Sequence, residues 1–222
     1  MDLSTWRGVP RPEPRVLEGR YARLEPLRAD RHGDDLYVSA TAEDAEERFR
    51  YLADSRPADR TEFEGWLLRA QASVDPLFFA VIDRATGRAG GRQTLMRIDA
   101  ANGVIEVGNI FWGPAIARTR VATEALWLFA SHVFRDLGYR RFEWKCNNLN
   151  EPSKHAAQRF GFTFEGVFRQ HMVVKGASRD TAWFAILDRH WPALDLAFND
   201  WLSPDNFDAA GRQRSQLGAR KA

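Results

Sequence analysis

The segment that most constrains this chain runs from Val104 to Leu137. Val104–Trp112 is a largely apolar run introduced by Ala101-Asn102-Gly103, a strong hairpin signal. Gly113-Pro114 stops it, and Thr119–Leu137 then changes period. Ala122, Leu126, Phe129, Val133 and Leu137 recur at the spacing of a core-facing helix, with Gly138 where a C-terminal cap belongs. Upstream, Leu77–Ile82 and Gly91–Ile98 flank the turn chemistry of Ala85-Thr86-Gly87-Arg88 and complete a three-strand meander with 104–112. Downstream, Arg141–Cys146 predicts a short strand. Asn150 predicts an N-cap with Pro152 in the first turn of a helix that ends at Gly161. Three antiparallel strands followed by strand–helix–strand–helix–strand indicate an α/β architecture: a mixed sheet with helices on both faces.

The flanks fit that frame. Val16–Leu27 reads as a bent strand or hairpin around Glu18-Gly19. Asp30–Leu52 reads as helical through Leu36, Tyr37, Ala40, Phe49 and Leu52, and Ala58–Gln71 through Phe63, Trp66, Leu67 and Ala70. Phe164–Val174 and Thr181–Leu187 are strands joined at Lys175-Gly176-Ala177-Ser178, and Trp191–Leu202 is a terminal helix. Residues 1–15 form an extended arm, 16–202 one domain, and 203–222 a polar tail expected to fray.

Composition narrows the function classes. With 44% hydrophobic and 28% charged residues the chain is globular. No stretch approaches the ~20 apolar residues of a bilayer span, and the first fifteen residues lack a signal-peptide core. A soluble cytoplasmic protein with no membrane partner is the expectation. A net charge of +2 offers no global field for nucleic acid. The single cysteine, Cys146, and five scattered histidines leave no metal-ligand spacing. A thiol hydrolase using Cys146 and His155 lacks an evident orienting residue or oxyanion hole.

The strand-to-helix turn is the most informative place for chemistry. The helix start aims free backbone N–H groups at one point and carries about half a positive charge, and Arg118 and Arg120 flank it. This suits an anion such as a pyrophosphate. An ordinary connection with two solvated arginines is the competing reading.

Ala117-Arg118-Thr119-Arg120-Val121-Ala122-Thr123-Glu124-Ala125 resembles the acetyl-coenzyme A loop of GNAT-superfamily N-acetyltransferases. Asn150-Glu151-Pro152-Ser153 and Arg159-Phe160-Gly161-Phe162 resemble the helix that follows the next strand in that family, and the nearest branch is the RimJ/RimL-type ribosomal-protein acetyltransferases. The likeness covers roughly Leu17 to Leu187. Arg120 stands where the first loop glycine is expected, and Ala117 where glutamine or arginine is usual. An arginine suits that place if its side chain turns outward.

The resemblance implies a mostly antiparallel twisted sheet that splays between two parallel strands, 104–112 and 141–146. It implies transfer of acetyl from acetyl-coenzyme A, with no metal, to a primary amine on a peptide N-terminus or small molecule, by direct attack in a ternary complex. Phe111 and Trp112 would bond the pantetheine arm, and Ala117, Arg118, Thr119, Arg120, Val121, Ala122 and Thr123 would surround the diphosphate. Glu106 is the candidate base, against the reading that it faces solvent on an alternating strand. Ser153 is the candidate acid, against simple helix capping. Asn150 caps the helix, bonds the pantetheine, or does both. Trp112, Trp144, Phe168 and Trp183 are candidate walls of an acceptor pocket or plain core, with Arg169 and His171 bordering it, and Gly108-Asn109 suggests a bulge. A homodimer is a further expectation. A non-catalytic acyl-coenzyme A-binding module of the same fold is the alternative.

Overall fold

The computed structural model describes residues 3–218, so the first two residues of the arm and 219–222 of the tail lie outside it. The strands are β1 (Leu17–Glu18), β2 (Ala22–Pro26), β3 (Leu77–Asp83), β4 (Arg88–Asp99), β5 (Val104–Trp112), β6 (Arg141–Asn147), β7 (Thr163–Val174) and β8 (Ala177–Leu187). They form one sheet in the order β1-β2-β3-β4-β5-β6-β8-β7. Among these strands only β5 and β6 run parallel; the other neighbours are antiparallel. The helices are α1 (Ala29–Ala40), α2 (Ala45–Phe49), α3 (Arg60–Ala72), α4 (Arg120–Ser131), α5 (Glu151–Arg159) and α6 (Trp191–Trp201).

The uninterrupted apolar run of β3 is explained by cover on both faces. Leu77, Phe79 and Val81 join one core with α4 and α6. Phe78, Ala80 and Ile82 join a second core with α1, α2 and α3. β5 and β6 obey the same alternation. Ile105, Val107, Phe142, Trp144 and Cys146 face the α4 side. Glu106, Glu143 and Lys145 therefore face the other. That second face is covered by helices over β3 and β4, and its cluster contains no residue of β6, β7 or β8.

The parallel pairing is short. It runs from Val104 opposite Arg141 to Val107 opposite Trp144 and stops, although β5 continues to Trp112 and β6 to Asn147. Asn109 lies just beyond the parting with φ +47°, a left-handed conformation asparagine tolerates, and the β4–β5 register shifts between Arg92 and Thr94. The expected bulge is there.

Boundaries moved in four places, the first being β8, which opens at Ala177, inside the stretch read as its connection to β7. The stretch read as one helix from Asp30 to Leu52 is α1 and α2, separated where Thr41 closes back on the Tyr37 carbonyl through its N–H (3.0 Å) and hydroxyl (2.8 Å). The long helix read as 119–137 begins at Arg120 with Thr119 as N-cap, and its last turn, His132–Asp136, is π-helical before Gly138 (φ +74°). The tail is packed rather than frayed through its described residues. Phe207 joins Trp201 and Leu202 in a small core, Asn206 is buried, and the Trp201 indole donates to Gln213 Oε1 and the Ser215 carbonyl, each at 3.1 Å.

Candidate active site

Thr119 caps α4 by accepting from the Val121 N–H at 3.1 Å. Thr123 N–H returns to the Thr119 carbonyl, and the Ala117 and Thr119 amides close the turn on Gly113 and Ile116. Among the described residues, the amides of Arg118, Arg120 and Ala122 find no acceptor in the chain. The mouth of the helix thus keeps unspent donors. Arg118, exposed, holds the left-handed conformation of this loop at φ +62°. Arg120 sits in the first turn of the helix, its guanidinium over the Tyr21 ring (4.3 Å) and near Phe207 (5.3 Å). The arginine in the glycine position is thereby turned onto an aromatic seat.

Glu124, four residues further, underlies that seat. It is 2% exposed, and its carboxylate accepts from the backbone amides of Arg20 (2.9 Å), Tyr21 (2.5 Å) and Ala22 (2.6 Å). A Cβ on Gly19 would stand 2.5 Å from Glu124 Oε2, so glycine is what lets the carboxylate enter the turn. The Ala-Thr-Glu-Ala stretch is structural at its glutamate.

Arg159, quoted in the sequence motif but not singled out there, reaches the same helix mouth. Its Nη1 donates to Thr123 Oγ1 at 3.2 Å, and its guanidinium lies 5.0 Å from the Trp201 ring. The signal was a cation at the end of a helix adjoining an anion-suited turn.

The two candidate proton handlers flank the parting of the strands on opposite faces. Glu106 is buried, not solvent-facing, with Oε2 3.0 Å from Lys145 Nζ and 3.1 Å from Arg97 Nε. Burial pushes its carboxyl above the ordinary range, against the opposing pull of Lys145 and Arg97. Lys145 also pairs with Glu143 at 2.6 Å, and its ammonium rests 3.7 Å from the Trp183 ring centre. Ser153 lies on the α4 side. The cap of α5 is Asn150, whose Oδ1 accepts from Ser153 N–H at 3.1 Å. The Ser153 hydroxyl accepts from Trp144 Nε1 at 3.0 Å; burial raises the Cys146 thiol above its usual range, with Ser153 pulling the other way. Cys146 is buried and His155 exposed, so they form no dyad.

Phe111 and Trp112 sit on the part of β5 that has left β6 but stays paired with Arg92 and Gly91 of β4. The Phe111 ring is buried against Phe49 (4.8 Å), and the Trp112 carbonyl accepts from Arg48 Nη1 at 2.9 Å. Phe111 and Trp112 therefore offer fewer free groups than expected. The aromatic wall is divided too. Trp112 and Trp144 pack with Phe160 on the α4 side, whereas Phe168 and Trp183 stack at 4.4 Å on the Glu106 side. His171 joins that pair, 5.9 Å from Trp183, with Nδ1 3.0 Å from Thr181 Oγ1. Burial and the cations Arg97, Arg179 and Lys145 push its pKa down. Arg169 lies apart, with Asn147, Gln170 and Asp180 along an open groove of about 770 Å³. The tip of the β7–β8 hairpin closes back on α2, where Lys175 Nζ donates to the Phe49 carbonyl at 2.8 Å. No group of metal-binding side chains occurs among the described residues, and no helix there is long and apolar enough to cross a membrane.

Comparison with known proteins agrees with this geometry. Residues 22–163 match the acetyltransferase (GNAT) domain. A GCN5-related N-acetyltransferase from Brucella melitensis is 60% identical over 97% of each chain, with a TM-score of 0.95. A probable GNAT-family acetyltransferase from Chromobacterium violaceum is 37% identical over 87% of this chain and 96% of its own, with a TM-score of 0.80. RimJ of Mycobacterium smegmatis, solved with coenzyme A disulfide, shares the fold at 20% identity and a TM-score of 0.68, over 81% of this chain and 90% of its own. No protein of curated function matches the sequence. On the matched domain and the full-length likeness, the chain belongs to the GNAT acetyltransferase family.

Proposed function

We propose that this protein moves acetyl from acetyl-coenzyme A to a primary amine by direct attack across the parting of β5 and β6. The observation that carries the reading is the placement of a buried carboxylate and a hydroxyl on opposite faces of the sheet beside that parting. A thioester approaching from the α4 side meets unspent amides at the mouth of α4, with Arg118 and Arg159 as cations for its phosphates. Where β5 has left β6, its main-chain groups that do not face β4 are available to an extended pantetheine arm. Coenzyme A supplies the activated acyl group; the chain supplies orientation and proton handling.

On the other face Glu106 takes the ammonium proton, directly or through one water, so that the amine attacks as a free base. Its raised pKa makes it a better proton acceptor, while Lys145 and Arg97 pull the other way, toward the carboxylate. Nitrogen bonds to the carbonyl carbon and sheds its second proton to water, which replaces the one Ser153 gives up; the carbon–sulfur bond breaks, and the sulfur departs toward the α4 side. Ser153, whose oxygen already accepts from Trp144, has its own proton to give to that thiolate. Holding amine and thioester together makes the attack effectively unimolecular.

The test separates the two faces. Glu106→Gln lowers kcat by about 10²-fold or more with the KM for acetyl-coenzyme A held. Arg118→Ala raises that KM by about tenfold, the worth of one charge-assisted hydrogen bond, with kcat held. An unchanged kcat in Glu106→Gln removes it from the base role. Tight acetyl-coenzyme A binding without turnover on any amine would instead favour the non-catalytic module.

A further inference from the structure

The face that carries Glu106 holds more positive charge than its carboxylates balance. Lys145 is shared between Glu106 and Glu143, Arg97 contacts Glu106, and Arg141 pairs with Glu143 and Glu165. Arg179 remains. It lies on β8, two residues before Thr181 and four before Trp183, whose ring meets Lys145, so its side chain leaves the sheet on the same face. It is half-buried, its Nε is enclosed with no hydrogen-bond partner, and no carboxylate among the described residues lies within ion-pair distance.

A guanidinium whose Nε is withdrawn from water without a hydrogen-bond partner or counter-ion is unfavourable. Burial is the main influence on Arg179; Glu106 and Cys146 offset it in part, and Arg97 adds repulsion. The same three cations, Arg97, Arg179 and Lys145, bear on His171. A simple ammonium entering here meets net repulsion. A molecule that brings an anion with its amine does not.

We propose that the acceptor carries a carboxylate a few bonds from its amino group, and that Arg179 receives that carboxylate while the amine faces Glu106. The inference rests on the transferase reading above. A planar guanidinium matches a carboxylate in a bidentate fork, and Phe168 and Trp183 supply the apolar wall for the carbon between the two groups. The phosphates of the thioester carrier are not the anion meant, because the mouth of α4 lies on the opposite side of the sheet. Two kinds of molecule have this chemistry: a free amino acid, and a peptide whose first residue is acidic.

Matched acceptors decide between them and against neither. Thiol release from acetyl-coenzyme A is followed with alanine against alaninamide, and with a hexapeptide beginning in aspartate against the same peptide beginning in asparagine. At least one carboxylate member exceeds its amide partner in kcat/KM by about tenfold, the effect of one charge-assisted hydrogen bond. The pair that responds names the source. Arg179→Gln collapses the ratio to within about twofold and leaves the KM for acetyl-coenzyme A alone, while Arg179→Lys keeps part of the preference. Equal use of both members of both pairs overturns the proposal, as does an Arg179→Gln variant that lowers each member of the responding pair alike. Calorimetric titration of the N-acetylated products reads the same preference without turnover. Carboxylate-selective binding lost in Arg179→Gln, in a protein that acetylates nothing, upholds the anion site and removes the transferase reading. Turnover with no carboxylate preference does the reverse.

Discussion

Glu106 shows how three neighbours set the behaviour of one side chain. Burial pushes its pKa up; Lys145 and Arg97 pull it back toward the carboxylate. In the proposed base role it works only when ionised, so kcat/KM falls as pH drops through its raised pKa. The acid limb of the profile is therefore expected above the ordinary carboxylate range, and absent in Glu106→Gln. Lys145→Met removes the cation that lowers this pKa, so the limb moves to higher pH. A limb that stays in place, or moves down, would contradict the pairing at 3.0 Å. Glu106 was legible because a carboxylate interrupts an apolar strand. Lys145 and Arg179 were not. Their roles depend on the register of β6 and β8 against β5, a long-range property that no local spacing encodes.

At the scale of elements, the start of α4 and the β1–β2 turn are one unit. Glu124 accepts three turn amides, and the turn presents Tyr21 beneath Arg120. Glu124→Ala leaves three buried or half-buried donors unmade, at about 1–3 kcal/mol each for full desolvation. Denaturant unfolding should show a loss of about 3 kcal/mol or more, with a smaller loss for Glu124→Gln, which keeps an acceptor. In the sequence Glu124 stands only as part of the loop motif; its burial identifies it as a tie. The loop was read correctly as a turn with arginines, but the left-handed residue is Arg118. Backbone sign is decided by how Gly113 and Ile116 close the turn, which composition does not reveal. The strands and helices themselves were legible, because periods of two and of about 3.6 survive in the apolar residues. The break between α1 and α2 was missed because the stripe resumes after Thr41–Asp44.

For the whole molecule, the sheet divides the work of the proposed reaction: helices α4, α5 and α6 on the side given to the thioester, and the buried charges around Glu106 on the side given to the amine. The last described segment contributes to the first side. Phe207 and Trp201 meet edge to face at 5.0 Å, and Phe207 also meets Tyr21 at 5.9 Å. Phe207→Ala is expected to cost about 3–5 kcal/mol and to loosen the seat of Arg120, measured as a lower denaturation midpoint with an unchanged slope. Polar residues around Phe207 and Leu217 hid this in the sequence, where Gln213 and Ser215 look like surface although they satisfy the Trp201 indole. The parting of the strands remains the centre of the account. The most direct test is thiol release from acetyl-coenzyme A, followed continuously with and without primary amines. The account predicts release that depends on the amine and matches the acetylated product one for one. Release no faster with amine than without it, across amino acids and peptide N-termini, would contradict it.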